Sequence, residues 1–143
     1  MQIAPDVLVA LRRHLVGAYP AEGCGLLIGR VRPEGSIVVH HEAPVRNIRL
    51  GDGAEYHRYS ITPEEFLSVE RHAEASGFQV VGVYHSHPNV SARPSAYDRE
   101  HAWPWYRYLI VSIVGGLVQE ERVWGLTDDR DRFVEEVLDI KES

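Results

Sequence analysis

The chain has 143 residues, 44% apolar and 25% charged, which fits one soluble globular domain able to fold around its own core without a disulfide or metal staple. A formal net charge of −6 with no Lys/Arg cluster excludes nucleic acid as the main expected partner, because phosphate contacts need concentrated positive charge. The single cysteine, Cys24, excludes an internal disulfide framework. With no apolar run of about 18 residues and no signal-peptide pattern in Met1-Gln2-Ile3-Ala4-Pro5-Asp6, no membrane span is expected and the expected location is cytoplasmic.

From Pro5 to Tyr19, Val7, Leu8, Leu11, Leu15 and Val16 recur at helical steps, predicting an amphipathic helix begun by Pro5 and ended by Pro20. Cys24 to Gly29 is a short apolar run between glycines and reads as a buried strand. Ser36 to His41 reads as a second strand after a turn at Pro33-Glu34-Gly35. Pro44 to Ala54 is expected to be a loop, and the alternating Tyr56 to Ile61 a strand. Thr62-Pro63-Glu64-Glu65 carries a helix start, with Thr62 as N-cap, and that helix should run to about Ser76, before Gly77.

Phe78 to His87 is apolar on both faces for most of its length, as in a central strand. Pro88 to Pro94 reads as a loop, Ser95 to about Trp103 as a helix closed by Pro104. Tyr106 to Val114 and Leu117 to Leu126 read as strands joined at Gly115-Gly116. Arg132 to Ile140 is an edge strand in preference to a short helix. The order predicts an α/β (α+β) fold, a mixed sheet with helices packed on its faces, in a single domain over 1–143.

Three segments carry candidate chemistry. His85 and His87 lie two apart on a strand, so their side chains project to the same side. Pro88 should stop that strand and set the pair at a sheet edge, where a cleft can form. Two imidazoles side by side suit zinc, provided a further ligand joins them; alone, a His-x-His pair also reads as two solvent-facing residues at a strand end. Asp98 is the candidate third ligand. Ser95 and Asp98 equally read as a capping box at a helix start, and the two readings are compatible, because a first-turn carboxylate is rigidly placed. Two His and one carboxylate leave a fourth tetrahedral position for water, as in hydrolytic zinc sites. Glu22, just before the strand at Cys24, is the candidate general base; alone it also reads as an exposed loop acid.

Other residues read more plainly. Cys24, inside an apolar strand, is expected to be a buried structural thiol. His40 and His41 are adjacent on a strand and point to opposite faces. His14, His57, His72 and His101 show no ligand spacing and read as ordinary surface or helix residues. Trp103, Trp105, Tyr106 and Tyr108 read as core packing, with a partner-binding patch as the alternative.

Glu22-Gly23-Cys24-Gly25-Leu26-Leu27-Ile28-Gly29, then His85-Ser86-His87-Pro88, six residues, and Ser95-Ala96-Tyr97-Asp98 together resemble the JAMM motif of MPN-domain metalloproteases: Glu, His-Ser/Thr-His-Pro, Ser-x-x-Asp. Every motif position is filled. The resemblance implies a single MPN/JAB-type domain with a mixed curved β-sheet. It also implies one Zn2+ held by His85, His87 and Asp98 with a bound water as fourth ligand, Glu22 as general acid/base, and Ser95 as hydrogen-bond donor to the oxyanion. Ser86, between the two ligands, is assigned structural support.

Relatives of this architecture cleave peptide or isopeptide bonds after the C-terminal Gly-Gly of ubiquitin or ubiquitin-like proteins. The shortness of the chain resembles the compact prokaryotic branch, which implies a sulfur-carrier protein as substrate. The loop Pro44 to Ala54 and the strand Ala54 to Ser60 are expected to hold the extended tail by β-addition, with Val90 to Pro94 as the other rim. The alternatives are a non-catalytic MPN scaffold, which usually lacks a metal ligand, a zinc hydrolase of a small amide, and a relative of DNA-repair-associated MPN proteins, against which the negative charge weighs. The carrier, the group released and the oligomeric state (unknown) are not encoded in any motif.

Overall fold

The computed structural model describes residues 1–47 and 59–142. A two-residue strand, β1 (Gln2–Ile3), which the sequence did not signal, leads into α1 (Pro5–Ala18), where Val7, Leu8, Leu11 and Leu15 are buried as their spacing requires. β2 (Cys24–Val31) and β3 (Ile37–Val45) form an antiparallel pair, longer than the apolar runs that mark them. α2 (Pro63–Ala75) starts as expected, the Thr62 hydroxyl accepting the Glu65 N–H at 3.1 Å. Then come β4 (Gln79–Pro88), α3 (Ala96–His101), β5 (Arg107–Val114), β6 (Leu117–Leu126), β7 (Phe133–Glu136) and β8 (Asp139–Ile140).

The strands form one mixed sheet in the order β7-β6-β5-β4-β2-β3-β1-β8. β4 and β5 run parallel, as do β1 with β3 and with β8; the other pairings are antiparallel. The two rim strands of this order are separated in the chain by Val137 and Leu138 alone. The sheet therefore curls to bring its rims toward each other. The segment from Arg132 to Ile140 is strand, as the sequence favoured, but divided between both rims.

Each face of the sheet is covered. α1 packs on one, with Leu8, Leu11 and Leu15 against Leu27, Val39, Tyr84, Leu109 and Val111. On the other, Cys24, Leu26, Val80, Val83 and Tyr108 meet Tyr59, Ile61 and Phe66. Complete burial of one such leucine stabilises the fold by roughly 1.5–3 kcal/mol. Leu27 pairs with Gly82 but Ile28 with Val80, so Val81 is the extra residue of a bulge. That bulge resets the alternation, so Val81 and Tyr84 share the α1 face although they are three apart.

Several expectations change. β4 lies in the sheet interior, as its two-faced apolar run predicts, so His85 and His87 stand at the end of a central strand and not at the expected sheet edge; Pro88 is that strand's last paired residue, opposite Ile113. Pro44 and Val45 belong to β3 and not to a loop. Residues 59–61 are outside any strand, and the rest of the expected strand from Tyr56, like most of the expected loop to Ala54, lies outside the described residues. α3 stops at His101, where Ala102 turns extended. Among the described residues no helix is long and apolar enough to cross a membrane.

Close approach of backbones fixes β4 against both neighbours. A Cβ at Gly25 would fall within the Tyr84 ring, and one at Gly82 would lie 2.2 Å from the Arg107 carbonyl oxygen of β5. Gly82→Ala must push β5 away, and we expect a stability loss of about 1–3 kcal/mol or more in urea unfolding. An unchanged midpoint would contradict this packing.

Candidate metal centre

β4 delivers His85 and His87 at its C-terminal end, and α3 begins just beyond it. The His85 and His87 Nε2 atoms are 3.2 Å apart. Asp98 closes the triangle: Oδ1 lies 3.3 Å from His85 Nε2 and Oδ2 lies 3.1 Å from His87 Nε2. Donors about 2.0–2.1 Å from one tetrahedral zinc ion stand roughly 3.3–3.4 Å apart, close to the separation of the two Nε2 atoms, while Asp98 meets each imidazole with a different oxygen. Glu22 is buried, and its carboxylate and the two imidazoles offer ligand atoms within 4.8 Å of one another. All four residues are thus brought together.

Each group is held by its own local device. The His87 Nδ1–H donates to the Ser91 carbonyl at 2.8 Å, which leaves Nε2 as the ring atom that faces Asp98 and that would carry the lone pair toward a bound metal. The Tyr59 ring stacks on His85 with centroids 4.4 Å apart. Nδ1 of His85 is buried without a hydrogen-bond partner among the described residues. Asp98 and Ser95 form the expected capping box: the Asp98 N–H donates to Ser95 Oγ at 3.0 Å and the Ser95 N–H to Asp98 Oδ2 at 2.9 Å. The Gly23 N–H donates to Ser86 Oγ at 2.9 Å, so Ser86 ties β4 to the turn that carries Glu22.

Two sets of supporting residues carried no sequence signal, because their roles rest on contacts distant in the chain. Ser112, Glu120 and Trp124 pin the loop after β4. The Ser112 hydroxyl donates to the Val90 carbonyl at 2.6 Å, the Ala92 N–H to Glu120 at 2.8 Å, and the Trp124 indole N–H to the Ala92 carbonyl at 2.9 Å. That loop presents the Ser91 carbonyl to His87. Asn47 is the other, a buried amide beside Glu22.

Burial and charge set the protonation. Desolvation pushes the Glu22 carboxyl up to about 8, with His87 opposing and Asp98 reinforcing the shift. Burial alone would raise Asp98, but the His85 charge and hydrogen bonds from both imidazoles outweigh it and hold the carboxyl well below the usual range. Burial lowers His85. Burial also opposes charge on His87, yet Asp98 outweighs it and His87 is raised.

The remaining candidates sort by contact. Cys24 is a buried free thiol that desolvation pushes up to about 12, as expected of a structural residue. His40 and His41 both lie against Phe78. His14 is not a plain surface residue: its Nδ1 is 2.8 Å from the buried Tyr84 hydroxyl. His72 and His101 are exposed, and His57 lies outside the described residues. Tyr108 is core, but Trp103 and Trp105 are 49% and 62% exposed and stack on each other. They border a groove of about 390 Å³ shared with Tyr59 and Tyr97, which corrects the core reading for the two tryptophans.

Residues 4–127 match the family described as prokaryotic homologs of the JAB domain. The chain is 38% identical over 117 residues to the desampylase of Haloferax volcanii, across 81% of this chain and 80% of that one. It is 32% identical over 104 residues to a probable TtuB-protein conjugate cleaving protease of Thermus thermophilus, across 72% of this chain and 64% of that one, a little under two thirds of the relative's length. The solution structure of a protein from Salinibacter ruber matches with a TM-score of 0.77 at 37% identity, covering 99% of this chain and 92% of that one.

The Glu22 shift makes stability depend on pH. In metal-free protein the folded value of about 8 exceeds the ordinary 4.5, so the neutral carboxyl's contribution is complete below pH 4.5 and is lost as pH rises through 8. Glu22→Gln removes that loss. In chelator, its melting temperature relative to wild type should rise from pH 5 to pH 8; a constant difference would show that Glu22 ionises normally.

Proposed function

Since the chain belongs to the prokaryotic JAB-domain family of the JAMM/MPN type, we propose that it is a zinc metallopeptidase hydrolysing the peptide or isopeptide bond at the C-terminal Gly-Gly of a ubiquitin-like, sulfur-carrier type protein. One observation supports this most: two imidazole Nε2 atoms and both oxygens of Asp98 face one another at 3.1 to 3.3 Å, with buried Glu22 beside them. His85, His87 and Asp98 hold the ion in this reading. The donor set of two nitrogens and one carboxylate suits zinc.

Zinc bound there supplies a Lewis acid and a water that ionises near neutral pH. The protein's own groups do the rest. Glu22 lies in a low-dielectric pocket that raises its proton affinity. It takes a proton from the attacking water and returns it to the leaving amine, as general base and then general acid. The Ser95 oxygen accepts from the Asp98 N–H, which leaves its own O–H to donate to the scissile carbonyl oxygen as negative charge develops. Ser86 and Ser91 fix Glu22 and His87 through backbone contacts.

The relatives named for desampylation and conjugate cleavage direct the substrate assignment to protein conjugates. A Gly-Gly tail fits a buried centre because it brings no side chain past the rim. Val90 to Pro94 form one wall in this reading; most of the other wall assigned from sequence, Pro44 to Ser60, lies outside the described residues, which omit 48–58. The lone buried thiol agrees with action in the cytoplasm.

Purified protein should hold one zinc per chain and release a carrier ending in Gly-Gly from a lysine conjugate, and chelation should abolish turnover until zinc is restored. Glu22→Gln should keep its metal and lose about 10²–10⁴ in kcat; Ser95→Ala should keep its metal and lose about 10²–10³. Asp98→Ala should lose the metal. Stoichiometric zinc without cleavage of any Gly-Gly conjugate would remove the substrate assignment, and absence of a bound ion would remove the enzyme reading too.

A further inference from the structure

Glu22 precedes the first paired residue of β2, so no ladder bond from β3 reaches its carbonyl, although the residue is only 4% exposed. A buried carbonyl needs a donor. Cys24 pairs with Val45, and continuing that antiparallel register by two residues sets Asn47 opposite Glu22. β3 has ended there as well, and a side chain takes over from the backbone. The Asn47 Nδ2–H donates to the Glu22 carbonyl at 3.0 Å, and Oδ1 of the same amide accepts the Ser60 N–H at 3.1 Å. Ser60 follows Tyr59, whose ring stacks on His85 and whose carbonyl accepts the Tyr97 hydroxyl at 3.1 Å. Asn47 is itself 3% exposed.

We propose that Asn47 is a positioning residue: its amide extends the β2–β3 register past the end of the ladder, fixing the Glu22 backbone and, through Ser60, the Tyr59 wall of the metal centre. The catalytic part of this rests on the hydrolase reading. The two halves of the amide act differently. The donor half sets Glu22; the acceptor half ties the Ser60 N–H to Asn47. Ser86 holds Gly23 from the β4 side, so Asn47 holds the Glu22 turn from the β3 side.

Asn47→Asp keeps the acceptor and loses the donor, whereas Asn47→Ala loses both. For N47D we expect zinc content to be retained, KM within about twofold of wild type, and kcat reduced about 10- to 100-fold, because a carboxyl displaced by a fraction of an ångström transfers protons poorly. Adding N47D to Glu22→Gln should leave the residual turnover nearly unchanged, since both act through one group. An equal drop in both backgrounds, or no drop in the single variant, would overturn the proposal. A readout without turnover runs beside it. In backbone NMR of the zinc-loaded protein, the Glu22 carbonyl carbon should shift in both variants and the Ser60 amide mainly in N47A. An unmoved Glu22 carbonyl in N47D would overturn the positioning role whatever the kinetics. Wild-type protein inactive on every Gly-Gly conjugate would instead count against the hydrolase reading, and the NMR comparison would still decide whether Asn47 fixes Glu22.

Discussion

Asp98 is a carboxylate largely removed from water, and an ionised group in that position is strongly unfavourable unless positive or donating groups meet both of its oxygens. Here they do. His85 faces one oxygen, His87 and the Ser95 N–H face the other. The same carboxylate caps α3, so helix start and strand end are locked to each other by a single side chain. A cation among the two imidazoles and the carboxylate would meet the lone pairs of all three, which is the physical reason to propose a metal there.

The strand order makes that meeting possible. β4 and β5 are parallel, so the chain must leave the C-terminal end of β4 and cross over through α3 before re-entering the sheet. Side chains at the end of β4 and at the start of α3 therefore share one rim. β2 runs antiparallel to β4 and begins at that same rim, which brings Glu22 there from far earlier in the chain. The loop from Asn89 to Pro94 is then fastened from behind by Ser112, Glu120 and Trp124. Strands that carry none of His85, His87 and Asp98 thus hold the orientation of those side chains.

Much of this was legible locally. The α1 stripe, the Thr62 cap, the two-faced apolar run of β4 and the Ser95–Asp98 box all follow from interactions within a few residues, where periodicity and capping chemistry leave a direct trace. The sheet order, the bulge at Val81 and the splitting of the C-terminal segment between two rims left none. The tryptophans illustrate the limit. Trp103 and Trp105 read as core by residue type, but a short α3 ends at His101 and leaves them on the surface, lining a groove with Tyr59 and Tyr97.

By itself the sequence determined which residues could ligate and which faces of the helices would bury, because ligand type, strand parity and helical spacing are properties of neighbours along the chain. Only the tertiary structure decided that Glu22 is buried rather than an exposed loop acid, that Asn47 meets the Glu22 carbonyl, and that Ser112, Glu120 and Trp124 pin the loop beside His87. Those facts depend on pairing across tens of residues, where register and curl are set by the packing of the whole sheet and not by any segment's own preference.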